Sequence, residues 1–264
     1  MSGTHIFKEK PRAFLENIYG TVLGQIRSEN LVNDLLKFLK ERKVNVVLDI
    51  GAGHAPVTFT LLHHYPDLKA ILVEPSAKLI EAAKENQKHF GIDESRVVYV
   101  NLDLNGFLEE REKYSFDFVM CHVVVNWTPN PWLFMSDFIK LCDSKVPVSF
   151  VFGSSLAKAF RFSYQGNIGD LLLILQKPGS AVSSLIEKEK VIPLDPDMIA
   201  RWIDENGCSI DFKAGVRIFA DYVNPSLLMD GNLLMMLKQA EDIARFDERL
   251  WKFGQLVHFI FHKN

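Results

Sequence analysis

Five short, almost wholly apolar runs recur along the first 152 residues: VNVVLDI (44–50), AILVE (70–74), VVYV (97–100), FDFVMC (116–121) and VPVSFVF (146–152). Runs this short, without polar alternation, fit strands covered on both faces. The segments between them carry helical periodicity. Residues 29–42 place Leu31, Leu35, Phe38 and Leu39 on one face, and Val57, Phe59, Leu61 and Leu62 suggest a second helix. A third spans 76–90, with Ser76 placed to cap it. Regular strand–helix alternation predicts an α/β fold with a doubly wound, mostly parallel sheet. With 48% hydrophobic residues in 264, the chain can bury one large core, and a single domain over residues 1–264 is expected.

The rhythm breaks after Gly153. Residues 154–194 hold helical stretches, a Gly-Asn loop and KPGSAVSS, which read as an insertion beside the sheet after the fifth strand. Residues 1–43 form an N-terminal helical cap in this reading. A helix over 196–207 ends at Asn206-Gly207, a natural C-cap. A strand region (208–220), a helix near 225–248 and a last strand (255–262) complete the chain. The net charge of −3 means that a nucleic-acid partner needs a local basic patch. Three scattered cysteines, Cys121, Cys142 and Cys208, fit a reducing compartment and argue against a disulfide framework. The N-terminus has no apolar run suited to a signal peptide, and no run approaches the ~18 residues of a membrane helix. A cytoplasmic protein with no membrane association is expected. His258 and His262 share a strand face without a visible cysteine or carboxylate partner, so no metal site is expected.

The turn LDIGAGHAP (48–56) follows the first strand and opens a helix. Gly51 and Gly53 allow positive φ and close approach of a ligand to the backbone, with helix-terminal N–H groups behind it. A dinucleotide fingerprint wants a further glycine about where Pro56 stands, which weakens a nicotinamide or flavin reading. Glu74 ends the second strand, where a carboxylate can accept from both hydroxyls of a ribose, and Asp103 follows the third. Taken singly, each carboxylate also fits a solvated loop. Together they line the crevice at the carboxyl ends of successive parallel strands.

LDIGAG, LVEPS, NLDL and FDFVMCHVVVNW together resemble the class I S-adenosylmethionine-dependent methyltransferases over residues 44–152. The resemblance implies a Rossmann-like, seven-stranded, mostly parallel sheet whose last strand is antiparallel, and S-adenosyl-L-methionine as cofactor. ENIYGTVLGQIR (16–27), HVVVNWTPNP (122–131), FSYQGNIGD (162–170) and GVRIFADY (215–222) look like one subfamily, the tRNA 5-carboxymethoxyuridine methyltransferases. These esterify a carboxymethoxy group on the wobble uridine. By this resemblance residues 17–27 fold over the cofactor and Arg27 pairs with its methionine carboxylate, a contact a planar guanidinium makes well. Gly51 and Gly53 would take the methionyl part, Glu74 the ribose, Asp103 and Leu104 the adenine region, and His122 the amino-acid side. Arg27 as a helix-start surface charge and His122 as a core histidine are the plainer alternatives.

A carboxyl group, with a pKa of roughly 4, is already ionised at neutral pH, so no general base is expected. The work is positioning, for which Tyr19, Trp127 and Arg217 are the candidates, by stacking on the base or holding its carboxylate. Arg217 also reads as a strand-surface charge. The insertion, with Lys158, Arg161 and Lys177 among Phe160, Phe162 and Tyr164, is expected against the tRNA anticodon region, although the same spacing fits a helix with a core face. The mixed-sign stretch SLIEKEKVIPLDPD departs from the basic stretch the subfamily can carry. HVVVNW stands where an NPPY-type string would signal methylation of a base amino group. Two other readings stay open: a methyltransferase of a small carboxylate or hydroxyl metabolite, and a non-catalytic S-adenosylmethionine-binding partner module.

Overall fold

A computed structural model describes residues 20–143, 146–184 and 189–264. The first helix, α1 (Val22–Leu39), leads into β1 (Val46–Ile50), α2 (Pro56–His64), β2 (Lys69–Val73), α3 (Ala77–His89) and β3 (Val97–Val100). Then come α4 (Leu104–Glu109), β4 (Phe118–His122), α5 (Pro131–Phe138) and β5 (Val148–Gly153). The sheet order is β3-β2-β1-β4-β5, all parallel, followed by two later strands. The last, β9 (Leu256–Lys263), runs antiparallel to β5, and β8 (Cys208–Val216) pairs with it on the outer edge. This is the expected seven-stranded α/β sheet with an antiparallel final strand.

Residue alternation sorts each central strand between two cores. Leu48, Ile50, Ile71, Val73, Val119 and Cys121 face one, with Phe107 of α4 and Phe138 of α5. Val47, Ala70, Leu72, Phe118 and Met120 face the other, under Leu35 and Phe38 of α1 and Phe59 of α2. That two-sided burial is why these strands read as unbroken apolar runs. Among the described residues no helix is long and apolar enough to cross a membrane.

The insertion contains α6 (Ser155–Tyr164), α7 (Ile168–Gln176) and a two-stranded pair, β6 (Val182–Ser183) with β7 (Lys190–Val191). It has a small core of its own, Phe162, Ile174 and Val182. Asn126, just past β4, ties it to the sheet. Its Nδ2 donates to Ile192 O at 2.8 Å, and its Oδ1 accepts from Gly153 N at 2.6 Å. The chain continues through α8 (Pro196–Glu205) and α9 (Gly231–Ala244) before β9. The helix expected near 225–248 is therefore shorter, preceded by a single-turn element at Pro225–Met229.

One boundary differs instructively. The apolar stripe predicts a helix from residue 29, yet α1 begins at Val22, with Thr21 Oγ1 accepting from Gly24 N as its cap. The upstream turns carry Arg27, and the helix continues through Asn30 and Asp34, all buried. Polar residues here face a cavity and buried partners rather than solvent, so an apolar-periodicity argument starts the helix too late.

Candidate active site

The carboxyl ends of β1, β2 and β4 open on a cavity of about 910 Å³. It lies where the strand order reverses between β1 and β4, the usual ligand crevice of open α/β sheets. Its volume is at the upper end of the roughly 300–1,000 Å³ of small-molecule sites.

The floor is the turn after β1. Gly51 and Gly53 have φ of +71° and +58°. A Cβ on Gly51 would lie 2.4 Å from Val124 Cγ2, whereas one on Gly53 would meet nothing within 4 Å. Gly51 is therefore fixed by packing, and Gly53 leaves open space beside the cavity. Gly53 N donates to Glu74 Oε2 (3.0 Å) and Ser76 N to Glu74 Oε1 (2.9 Å). These bonds clamp the carboxylate at the cavity edge while each oxygen keeps a lone pair. Burial pushes the Glu74 carboxyl up and the two amide bonds pull it back. Asp103 caps α4 through Gly106 N (2.9 Å), and Leu104 beside it is buried; both line the cavity.

Asp49, one strand position before the turn, was not singled out by sequence. It is buried, accepts from Thr58 Oγ1, and desolvation pushes it up to about 7 despite that bond. Its place in LDIGAG, as an acid inside an apolar strand, was the available signal. His54 of the same turn is driven down to about 4, first by burial and then by the Arg27 charge.

Arg27 is only 9% exposed and lines the cavity, so it is not a surface charge. His122 closes β4 at the cavity wall, its Nε2 2.8 Å from Ser149 Oγ. Burial, His258 and Arg27 together hold its ring well below the usual histidine range. Trp127 lines the same space, while Tyr19 lies outside the described residues.

Arg217 is buried too, not on the strand surface. It sits at φ +59° just past β8, with Nη2 3.0 Å from Asp221 Oδ1. The same oxygen accepts from Arg161 Nη1 at 2.7 Å. Lys158, 5% exposed, adds a third cation to the cavity lining, lowered to about 8 chiefly by burial and then by Arg161. The basic–aromatic mixture of the insertion is thus split. Lys158 and Arg161 turn inward, Phe162 is core, and Phe160, Tyr164 and Lys177 remain outside. Among the described residues, the non-glycine residues at positive φ, Ala55, Val123 and Arg217, all line this cavity. Strained backbone gathered at one cleft is a mark of a functional site.

A family profile described as a methyltransferase domain matches residues 48–144, the stretch that builds the floor and the β4 wall. The chain carries a methyltransferase domain. S-adenosylmethionine is the methyl donor that the sequence resemblance implies for it, and the similar solved structures below hold S-adenosylhomocysteine. The methyltransferase is 25% identical over 220 residues to the tRNA 5-carboxymethoxyuridine methyltransferases of Escherichia coli K12 and O157:H7. That similarity spans 82% of this chain and 80% of those relatives. Its fold matches the plantazolicin methyltransferase BamL in complex with S-adenosylhomocysteine (SAH) and a triazolic desmethylPZN analog. The TM-score is 0.61 at 15% identity, over 99% of this chain and 94% of that one. Magnesium protoporphyrin IX methyltransferase of Synechocystis, with bound SAH, gives a TM-score of 0.61 at 13% identity, covering 98% and 96%.

The residues present fit the cofactor. The space above Gly53 admits a ligand against backbone, Glu74 retains acceptor capacity for hydroxyls, and Arg27 offers a guanidinium for a carboxylate. Among the described residues no cluster of histidine, cysteine and carboxylates could hold a metal ion. The two histidines of β9 instead take separate carboxylates, His258 with Asp34 and His262 with Asp211, partners brought from distant positions in the chain.

Proposed function

We propose that this methyltransferase esterifies an acceptor carboxylate, that of 5-carboxymethoxyuridine at the wobble position of tRNA. The carrying observation is the group of Lys158, Arg161 and Arg217 at the insertion side of the cavity, three cations with two carboxylates near them, Asp221 and, beside Lys158, Asp170. Such an excess of buried positive charge needs an anion to balance it. The similarity to tRNA 5-carboxymethoxyuridine methyltransferases supplies an acceptor of that chemistry.

S-adenosylmethionine supplies a methyl group made electrophilic by its sulfonium. Arg27 and Glu74 anchor the two ends of the cofactor site, and Lys158 with Arg217 orients the acceptor carboxylate toward the methyl. An ionised carboxylate is already the nucleophile. No proton need be removed from it, so the task left to Lys158, Arg217 and the cavity walls would be to hold that carboxylate in place and exclude water. Trp127, in the cavity lining, offers a flat face to a base.

One observation favours a smaller acceptor. The outward face of α7 exposes Ile168, Leu172 and Leu175 at 49–63%, an apolar surface where an RNA backbone calls for basic residues. A small carboxylate metabolite would fill the same cavity without touching that face.

The test incubates purified protein with methyl-labelled S-adenosylmethionine and bulk tRNA from cells lacking it, then digests the RNA to nucleosides. The expected product is a base-labile methyl ester of 5-carboxymethoxyuridine, formed less well as salt rises. Unlabelled tRNA with intact cofactor binding would rule out the tRNA acceptor and turn the search to small carboxylates.

A further inference from the structure

Behind His122 an unbroken line of buried polar contacts runs through the sheet. His122 Nε2 lies 2.8 Å from Ser149 Oγ, which lies 2.8 Å from His258 Nε2. His258 Nδ1 is 2.9 Å from Asp34 Oδ2, and Arg245 Nη2 is 2.6 Å from that same oxygen. Ser149 and His258 are fully buried, and Asp34 and Arg245 are 3% exposed. The participants come from β4, β5, β9, α1 and the residue after α9, so only the completed fold assembles them.

The chemistry of the groups gives this line a direction. A carboxylate only accepts, so His258 Nδ1 carries a hydrogen. Arg245 already balances the Asp34 charge, and a neutral His258 ring leaves no buried charge unmatched. Its Nε2 is then an acceptor, and the Ser149 hydroxyl donates to it. The Ser149 oxygen in turn accepts from His122 Nε2–H. The remaining nitrogen of His122, Nδ1, keeps its lone pair.

We propose that Asp34, His258 and Ser149 form a positioning relay that holds His122 as the neutral Nε2–H tautomer, so that Nδ1 presents an acceptor for a protonated amine. The amino group of the cofactor's methionine portion has that chemistry. A cationic His122 would instead face a ligand that is itself positively charged at both sulfur and nitrogen. Arg27, His258 and Ser149 lie beside the ring, and burial first, then the Arg27 charge, acts against its protonation. The relay residues are positioning groups, since none but His122 lines the cavity.

The test needs no acceptor and so stands apart from the tRNA reading. Two-bond ¹H–¹⁵N spectra of the full-length labelled protein, with His122→Asn for assignment, report which ring nitrogen carries the hydrogen. The wild type is expected to show His122 as a single Nε2–H tautomer from about pH 6 to 8. Ser149→Ala removes the link without altering a cavity residue. It should mix the tautomers and weaken S-adenosylmethionine binding by about tenfold, as measured by calorimetry. His258→Gln, with Ser149 intact, keeps an acceptor oxygen for the Ser149 hydroxyl and should leave the wild-type pattern in place. A hydrogen on Nδ1 in the wild type overturns the relay, and that spectrum decides even where a variant fails to fold. An unchanged tautomer and affinity in folded Ser149→Ala would also overturn it.

Discussion

On the floor of the cavity, the lining groups sit at strand ends: Gly51 and Gly53 after β1, Glu74 after β2, and His122 ending β4. At the insertion side the corresponding groups are Lys158 and Arg161 on α6 and Arg217 past β8, gathered around Asp221. Backbone amides and short reaches build the first half. Long side chains from segments sixty residues apart build the second, and their positions are secured at a distance. Glu241 of α9, 1% exposed, accepts from Ile218 N, Phe219 N and Ala220 N at 2.7–2.8 Å and so holds the loop that carries Arg217 and Asp221. The lesson is that the strand-end half of the cavity, proposed for the cofactor, depends on local chain geometry, and the insertion half, proposed for the acceptor, on charge balance between elements.

If the two halves are separable, damage to one should spare the other. Arg27→Ala should weaken S-adenosylmethionine binding by about 100-fold, the scale of a lost charge-assisted pair, with little change in melting temperature. A calorimetric Kd within threefold of wild type would remove Arg27 from the cofactor site. Glu241→Gln places an amide where three backbone N–H groups need acceptors. It should cost about 2 kcal/mol of stability, seen as a midpoint shift in urea, and raise the acceptor KM more than the cofactor Kd.

Lys158→Met sharpens the contrast further. It should raise the acceptor KM about tenfold while the cofactor Kd stays within twofold, as read by steady-state kinetics and calorimetry. The same residue sets a pH limit. Its pKa is lowered to about 8, so it loses its proton, and its grip on an anion, as pH rises through that value. With kcat/KM expected to fall above pH 8, Lys158→Arg should carry that limb upward; an identical limb in both proteins assigns it elsewhere. The smallest effect belongs to Gly53→Ala, about 1 kcal/mol for an alanine held at positive φ, with a several-fold loss of cofactor affinity. Equal binding and stability would show that the turn tolerates a side chain.

The strand-end side of the cavity is largely legible in the sequence, because strand ends and the glycine turn are local features. LDIGAG, Glu74, Asp103 and His122 could be placed by counting from apolar runs. Asp49 escaped notice although it stands in that motif, since an acid inside a strand reads as an exception until its burial is known. Arg217 was picked out, but its sharing of Asp221 with Arg161 was not, because no periodicity links positions 161 and 221. For Lys158 and Arg161 the sequence allows either an RNA-facing surface or a helix with a core face. On an amphipathic helix, sequence gives the spacing of the faces but not which of them meets a cavity.

The sequence by itself determined the α/β alternation, the strands buried on both faces and the turn after β1, all of which follow from short-range hydrophobic patterning and glycine stereochemistry. Tertiary structure alone decided what the polar residues do. Asp34, Ser149, His258 and Arg245 are unremarkable where they stand in the chain, yet they form one buried line because α1, β5, β9 and the end of α9 converge. The free energy of a buried charge depends on the partners around it, and those partners are set by the fold rather than by neighbours in sequence.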